Sequence, residues 1–429
     1  MIYQIKRCIV IPSTAVLLAL TIFTANAQSP ETKLEIGGQA TSLTIFHPDF
    51  TGDITQPGFG GRITYNITRA IAAEAEFNFF PQKNGFFLGD GQAIQGQFGV
   101  KAGKRFQRFG VFAKVRPGFL SVGDAFTFDP DGDFGGLTLP FSIHRKTHFT
   151  TDVGGVLEFY PGKRTIVRFD GGDTIIRYGS EFDFLSFPTL VKTPTRFKHN
   201  FQFTAGVSFR IGDVNDGNVS AESTNGRSKT PRYEVGLQFT SLSVKPPTPI
   251  CFDFCPLSRD RPITTEPGFG GRFTFNLTSY LGVDAEMNWF TRDHGTFSGP
   301  GGHMFQGQFG PKVGKRFDRW GVFGKARPGF MGFTKVMQLV GTHPFNFAGF
   351  PTIQGDFKVG TKLYPSFDFG GVIEFYVSRH VMTRMDLGDT IIWYGEYAIP
   401  GFPVSAPILR RPPETHHNFQ FNAGIGFRF

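Results

Sequence analysis

Cysteine is scarce in this chain of 429 residues, which contains only three. Cys8 lies in the N-terminal segment, whereas Cys251 and Cys255 lie close together in the sequence CFDFC. This pair is a candidate for a local disulfide in an oxidising compartment. A structural metal site would need further ligands, and neither a histidine nor a second cysteine pair accompanies these two residues. We therefore predict no metal site here.

Long hydrophobic runs are also lacking. Beyond Phe23 no stretch approaches the roughly 20 apolar residues of a membrane-spanning helix, and the mean hydropathy is −0.13. This excludes a bundle of transmembrane helices. The one apolar run, residues 8–23, follows Lys6 and Arg7 and precedes Ala25-Asn26-Ala27. A basic start, an apolar run and a small-x-small site predict a secretory signal peptide over residues 1–27.

Acidic residues are fewer than basic ones, and the formal net charge is +9. In a cytosolic protein this balance would suggest a nucleic-acid partner. Because the signal peptide predicts export, we do not expect nucleic acid as a partner. The excess is either scattered, solvated charge or a source of attraction to anionic lipid headgroups and lipopolysaccharide. We expect outer-membrane lipid and lipopolysaccharide as partners and no nucleic acid.

Phenylalanine and glycine are abundant, with 54 and 55 residues, which favours strands with an apolar aromatic face. Much of this composition falls in an internal repeat of about two hundred residues. The matching segments include PGFGGRITYNIT at Pro57 and PGFGGRFTFNLT at Pro267, QGQFGVKAGKRF at Gln95 and QGQFGPKVGKRF at Gln306, and HNFQFTAG at His199 and HNFQFNAG at His417. Residues 213–231 between the copies are polar and predict a linker. We therefore expect two units, at residues 28–212 and 232–429.

Each copy contains eight segments in which apolar and polar residues alternate. In the last segment of the first copy, Phe201, Phe203 and Ala205 alternate with Gln202 and Thr204. Alternation alone would also suit a soluble β-sandwich. The connections after segments two, four and six are short, whereas the others are long, which is the arrangement of outer-membrane barrels. The sequence therefore predicts an all-β protein, a transmembrane antiparallel up-and-down β-barrel.

The chain ends on Phe429, in a strand where Phe419, Phe421 and Phe427 share one face. With this terminal aromatic, the sequence resembles the OmpA/OmpX-type family of small outer-membrane barrels over nearly all of both copies. The resemblance implies the outer membrane of a Gram-negative bacterium, and Phe427 and Phe429 as a signal read by the outer-membrane assembly machinery. It carries no catalytic motif.

The duplication leaves two architectures open. Two tandem eight-stranded barrels would each have a lumen wide enough only for side chains, whereas one sixteen-stranded barrel would enclose a porin-like water channel. Because each copy has its own first and last strand, we expect two barrels.

Charged residues at alternate positions are predicted to point into the lumen. We expect them to pair and fill it, although an ion path or proton relay along them is the alternative. Glycines such as Gly99 and Gly154 would make room for the long basic side chains. The predicted lumen residues are Lys33, Glu35, Arg62, Glu74, Glu76, Lys101, Arg105, Lys114, Arg116, Asp152, Glu158, Arg168, Asp170 and Arg210, and in the second copy Arg232, Glu234, Arg272, Asp284, Glu286, Lys312, Arg316, Lys325, Arg327, Asp368, Glu374, Arg384, Asp386 and Arg428.

Several other motifs do not support a catalytic or cofactor site. PGFGGR runs into a strand rather than a helix, so it does not suit phosphate binding. Asp129, Asp131 and Asp133 lack the glycine position of an EF-hand and have no counterpart in the second copy. A lipid-modifying enzyme would need a triad, and the available residues, His47, Ser142, His144 and His148, are likewise unrepeated.

We therefore predict no catalytic, cofactor or metal residues and no enzyme activity. The expected role is structural or surface-binding, through the long loops. A porin-like channel is the second interpretation, and a lipid-modifying enzyme the third.

Overall fold

The structure, a computed structural model, describes residues 33–46, 53–83, 91–128, 133–134, 137–138, 141–183, 191–212, 231–247, 263–294, 301–347, 350–399 and 408–429. The predicted signal peptide, most of the predicted linker, Cys251, Cys255, His47, Asp129 and Asp131 lie outside these ranges. No helix long and apolar enough to cross a membrane occurs in the described part of the chain.

The first copy forms a closed antiparallel barrel of eight strands, β1, β2, β3, β4, β5, β8, β9 and β13. Closure comes from two pairings, β13 with β1 and β8 with β9. Five further short strands lie at one end of this barrel. The bounds in chain order are β1 (Leu34–Phe46), β2 (Asp53–Asn66), β3 (Ile71–Phe80), β4 (Ala93–Arg105), β5 (Phe109–Phe128), β6 (Asp133–Phe134), β7 (Leu137–Thr138), β8 (Phe141–Phe159), β9 (Thr165–Tyr178), β10 (Glu181–Asp183), β11 (Val191–Thr193), β12 (Arg196–Lys198) and β13 (Phe201–Ile211).

The second copy forms a second closed barrel, in which β23 pairs with β14. Its barrel strands are β14 (Tyr233–Val244), β15 (Thr264–Asn276), β16 (Leu281–His294), β17 (Gly301–Arg316), β18 (Trp320–Phe347), β19 (Phe350–Tyr376), β20 (Val381–Tyr394) and β23 (Glu414–Arg428), with β21 (Tyr397–Ile399) and β22 (Leu409–Arg411) as a separate short pair. The predicted fold class, two tandem eight-stranded barrels, is confirmed. A single sixteen-stranded barrel is not formed, because the first and last strands of each copy pair with one another.

The alternation of the sequence decides which side of each strand is buried. In β13, Gln202 and Thr204 are buried inside the barrel, whereas Phe201 and Phe209 are exposed on the outside. Exposed phenylalanine, isoleucine and valine side chains recur at the outward positions of the other strands. An outward apolar band is what hydrocarbon requires of a barrel.

One end of each barrel carries the short turns, and we call it the short-turn end. The turn between β2 and β3 is fixed by Thr68, whose Oγ1 accepts hydrogen bonds from the backbone N–H groups of Ala70 (3.1 Å) and Ile71 (2.9 Å). Thr278 does the same in the second copy. The local sequence NxT therefore sets the turn by a side-chain cap, which is a common device of serine and threonine in turns.

The opposite end, the long-loop end, carries strands that extend past the barrel wall. β18 and β19 contain 28 and 27 residues, whereas a tilted strand crosses a membrane in roughly 9–11 residues. Beyond Lys335, where pairing with β17 ends, β18 pairs only with β19 among the described strands. We call this two-stranded extension, from Val336 to Gly360, the long hairpin.

Two details of the sequence interpretation need correction. Lys33 and Arg232 precede the first strand of their barrels and are exposed, so they are not lumen residues. The glycines have a different role as well. A Cβ at Gly99 would lie 2.1 Å from the carbonyl oxygen of Val115, and one at Gly154 would lie 2.3 Å from that of Gly171. These glycines allow close approach of neighbouring strands in a tightly curved wall, rather than room for basic side chains.

Candidate functional site

The charged side chains of the first copy meet inside its barrel. Arg116 on β5 is the centre of one group: its Nη1 lies 2.5 Å from Glu76 Oε2, and its Nε and Nη2 donate to Asp152 Oδ2 at 2.9 and 2.7 Å. Lys114 Nζ lies 2.8 Å from the same aspartate oxygen. All four side chains are buried. Ion pairs that are shielded from water therefore connect strands β3, β5 and β8.

Arg168 on β9 is the centre of a second group. Its guanidinium donates to both carboxylate oxygens of Glu74 and, through Nε, to Asp170 at 2.7 Å. Lys101 pairs with Glu158 and lies 3.4 Å from Glu74. The two groups touch, because Arg116 Nη1 is 3.7 Å from Glu74. The interior is thus one connected network of alternating charge.

The second copy repeats this network almost atom for atom. Arg327 bridges Glu286 at 2.6 Å and Asp368 at 2.6 and 2.8 Å. Arg384 holds Asp284 at 2.7 Å and Asp386 at 2.6 Å. The other equivalents are Lys312 with Glu374 and Asp284, and Lys325 with Asp368. Asp284 replaces the glutamate of the first copy and keeps the arginine contact.

The two ends of the network have different hydrogen-bond partners. Glu35 near the short-turn end is buried and lies 3.4 Å from Arg105 and 3.6 Å from Arg210. Glu234 has the same relation to Arg316 at 3.2 Å and Arg428 at 3.8 Å. Arg62 and Arg272 point instead towards the middle of the lumen, where each donates to a glutamine, Gln39 at 2.9 Å and Gln238 at 3.3 Å.

A layer of amides lies next to the charges on the long-loop side. In the first copy, hydrogen bonds run from Gln39 to Asn78 (2.8 Å), from Asn78 to Gln95 (3.0 Å) and from Gln95 to Gln202 (3.0 Å). The second copy has the same chain through Gln238, Asn288, Gln306 and Gln420. Amides both donate and accept, so the layer spans the barrel without a net charge.

A third layer, at the long-loop end, is apolar. In the first barrel it is a cluster of fully buried side chains, Leu43, Phe80, Ala93, Leu120 and Ile176. In the second it is larger and comprises Leu242, Val244, Phe290, Met304, Met331, Phe333, Val336, Tyr364, Ile392, Tyr394 and Tyr397. An ion that moved along the lumen would have to cross this layer without polar partners, which is costly.

Of the residues considered for a triad, the structure describes Ser142, His144 and His148, whereas His47 lies outside the described residues. Ser142 Oγ lies 3.1 Å from His144 Nδ1 on the same strand, on the part of β8 that extends past the barrel. His148 packs its ring against Tyr178 instead. The repeated histidines His199 and His417 are exposed and each lies 2.5 Å from an aspartate, Asp173 and Asp389. Among the described residues no group of three or more histidine, cysteine, aspartate or glutamate side chains is arranged to hold a metal ion.

The two barrels contact one another through outward-facing residues. Ser42 lies on the same face of β1 as the exposed Ile36, yet it is only 3% exposed, because its Oγ lies 3.5 Å from Ser241 Oγ of the second barrel. Arg292 of the second barrel donates to Thr55 at 2.6 Å, and Thr265 donates to Gln82 of the first at 2.8 Å. These two bonds join equivalent positions of the repeat in reciprocal fashion. The contact is therefore a pseudo-two-fold interface.

Towards the short-turn end the same interface becomes apolar. Phe203 stacks on Phe239 with 4.1 Å between ring centroids, and Ala205 and Ala423 are nearly fully buried in the same cluster. The small side chains of Ala205 and Ala423 let the two barrel walls approach closely beside the stacked rings.

Sequence reasoning missed both the apolar layer and the interface. The alternation shows two faces but does not show that Leu43 and Phe80 lie on the lumen side near one end. The interface did leave a signal, since Ser42, Thr44, Ser241 and Ser243 occupy outward positions where phenylalanine or isoleucine would suit lipid. Phe427 and Phe429, the predicted assembly signal, are exposed on the outside of the second barrel. Their role in assembly stays a prediction.

The first copy is similar to a known family of outer-membrane proteins. Residues 14–209 match the family described as outer membrane protein beta-barrel domain. No curated protein matches the chain. Similar solved structures include the N-terminal β-barrel domain of Pseudomonas aeruginosa OprF (11% identity over 41% of this chain and 97% of that chain, TM-score 0.26), Neisserial surface protein A (11%, 46% and 97%, TM-score 0.23) and Yersinia pestis Ail in complex with the heparin analogue sucrose octasulfate (12%, 42% and 97%, TM-score 0.24).

The family match covers the first copy, and the second copy repeats its strand order, its closure and its internal network. Proteins with such domains reside in the outer membrane of Gram-negative bacteria. The chain is thus a tandem duplicate of a small outer-membrane β-barrel, whose first copy matches the family of outer membrane protein β-barrel domains.

Proposed function

We propose that this protein is a non-enzymatic, non-conducting outer-membrane barrel that has a structural or surface-binding role through its long-loop end. One observation carries the proposal: both lumens are filled, in the same order, by a charged network, an amide layer and an apolar layer. A lumen of eight strands has room only for side chains. Neither barrel therefore offers a route for solute, and the function falls to the surfaces outside the wall.

The proposal includes export through a cleaved signal peptide at residues 1–27 and two barrel units at 28–212 and 232–429. Phe427 and Phe429 would be read by the assembly machinery. Outer-membrane lipid and lipopolysaccharide would be the immediate partners, and a surface ligand would meet the long hairpin.

The long hairpin supports the surface-binding part. Its first strand runs from Val336 to the end of β18 at Phe347, which is about 12 residues and roughly 40 Å along the strand. Its side chains include the exposed Val340 and Val359, 65% and 51% accessible, beside the exposed Lys358. Because each of its strands has one edge without a partner strand among the described residues, it can add a third strand from another molecule, a recurrent mode of recognition.

Single-channel recording in planar bilayers tests the filled lumens. We expect the full chain, inserted and folded, to show no steady openings, because ions must displace the buried pairs and cross the apolar layer. A sixteen-stranded porin serves as the positive control. Steady openings of porin size would contradict the proposal.

Site-specific photocrosslinking tests the role of the long hairpin. A photoreactive amino acid at Val340 or Val359, in intact outer membranes, should crosslink to envelope or added surface macromolecules. The same group at Phe209, which faces outward on the barrel wall, should crosslink to lipid only. If the hairpin positions also gave lipid adducts alone, the surface-binding role would be wrong.

A further inference from the structure

A groove lies between the two barrels at the short-turn end and has a volume of about 1000 Å³. One wall comes from strands β5 and β8 of the first barrel and the other from β20 and β23 of the second. Leu157 and Phe159 face Ile425 and Phe427 across it. The apolar part of this lining matches acyl chains.

The mouth of the groove is basic. Arg69 and Arg108, on two short turns, line it and are exposed. Arg108 Nη1 donates to the carbonyl oxygen of Val377 in the second barrel at 3.4 Å, which holds this guanidinium across the groove. Arg105 and Arg210 reach the same space from the end of the lumen, and they share one carboxylate, Glu35. No aspartate or glutamate lines the groove.

The second copy does not repeat this basic mouth. By alignment of NITRAI with NLTSYL, and of KRFQRFG with KRFDRWG, Ser279 stands at the position of Arg69 and Asp318 at the position of Gln107. These two differences make the equivalent turns of the second copy two charge units less positive. The second copy keeps an arginine, Arg319, at the position of Arg108, so Arg69 and the neutral Gln107 are what make the mouth of the first copy more basic.

We propose that this groove binds one anionic glycerophospholipid from the leaflet at the short-turn end. Its phosphate would lie between Arg69 and Arg108, since guanidinium groups bind phosphate oxygens through paired hydrogen bonds. Its acyl chains would lie against Leu157 and Phe427. Basic pockets between membrane segments bind anionic lipid headgroups in this way. A bound lipid would fill the groove between the barrels. It would hold them together on the short-turn side of the polar contact between Ser42 and Ser241.

Native mass spectrometry of the full, delipidated chain tests the proposal, with phosphatidylglycerol as the anionic probe and phosphatidylcholine as the zwitterionic one. We expect a one-to-one adduct that is at least about tenfold tighter with phosphatidylglycerol. Arg69→Ser with Gln107→Asp, which installs the residues of the second copy, should remove this preference. Lys192→Gln with Arg410→Gln is the control, because it changes the net charge equally at the exposed long-loop end.

Three results would overturn the proposal: equal affinity for both lipids, unchanged binding by the Arg69→Ser, Gln107→Asp variant, or displacement of the lipid by an equal concentration of inorganic phosphate. We expect the variant to fold, because the second copy already carries these residues in the equivalent turns. A difference in gel mobility before and after boiling will show whether it has folded. If the variant does not fold, the proposal is tested by the affinities of the unchanged chain for phosphatidylglycerol and phosphatidylcholine.

Discussion

Arg116 and Arg327 occupy equivalent positions, and each joins a glutamate and an aspartate inside its barrel. The sequence predicted that these residues face the lumen, because they alternate with apolar positions. It did not predict their partners. Arg116 on β5 meets Glu76 on β3, and that contact depends on the curvature and stagger of the closed wall, which alternation does not encode. Lys33 was misplaced for a related reason, since a pattern does not mark where a strand begins.

Replacement of Arg116 by alanine should lower the free energy of unfolding by about 3–5 kcal/mol, because it leaves Glu76 and Asp152 buried with less compensation. Arg327→Ala should have a similar effect on the second barrel. The measurement is urea unfolding in lipid vesicles, followed by far-UV circular dichroism, because all three tryptophans, Trp289, Trp320 and Trp393, lie in the second copy. Arg410→Ala, which breaks an exposed pair with Glu396, should cost no more than about 1 kcal/mol. Equal effects of the buried and exposed changes would refute the dry network.

At the scale of strands and turns, the sequence predicted the most. Eight alternating segments in each copy became eight barrel strands, and the short connections, such as the one capped by Thr68, became tight turns. Two features were not predictable from alternation. The apolar layer places Leu43 and Phe80 on the polar face of their strands, and Ser42 lies on the apolar face. Both features depend on which residues lie opposite, across the lumen for the apolar layer and across the interface for Ser42.

β1 of the first barrel packs against β14 of the second, and this contact predicts a crosslink. In a Cys251→Ser, Cys255→Ser background, Ser42→Cys and Ser241→Cys should form a disulfide under mild oxidation, because the two serine Oγ atoms lie 3.5 Å apart and disulfides need such proximity. The measurement is a shift in gel mobility that a reductant reverses. Cysteines at Phe59 and Phe269, which are equivalent in the repeat and exposed on the outside, are the matched control. A crosslink at the control pair alone would contradict the interface.

At the scale of the molecule, duplication produced two complete barrels rather than one larger one. Each has its own closing pair of strands, β1 with β13 and β14 with β23, and its own internal neutralisation of charge. The sequence could predict this because each copy keeps a first and a last strand. It could not predict that the copies pack side by side, since a polar linker gives no geometry.

Separate expression of residues 28–212 and 232–429 tests this account most directly. If each copy is a complete barrel, both fragments will refold in micelles and migrate differently on SDS gels before and after boiling, because a closed barrel has every wall strand paired. The full chain is the positive control. If both fragments aggregate while the full chain folds, each has open strand edges in lipid, and the two-barrel account is wrong.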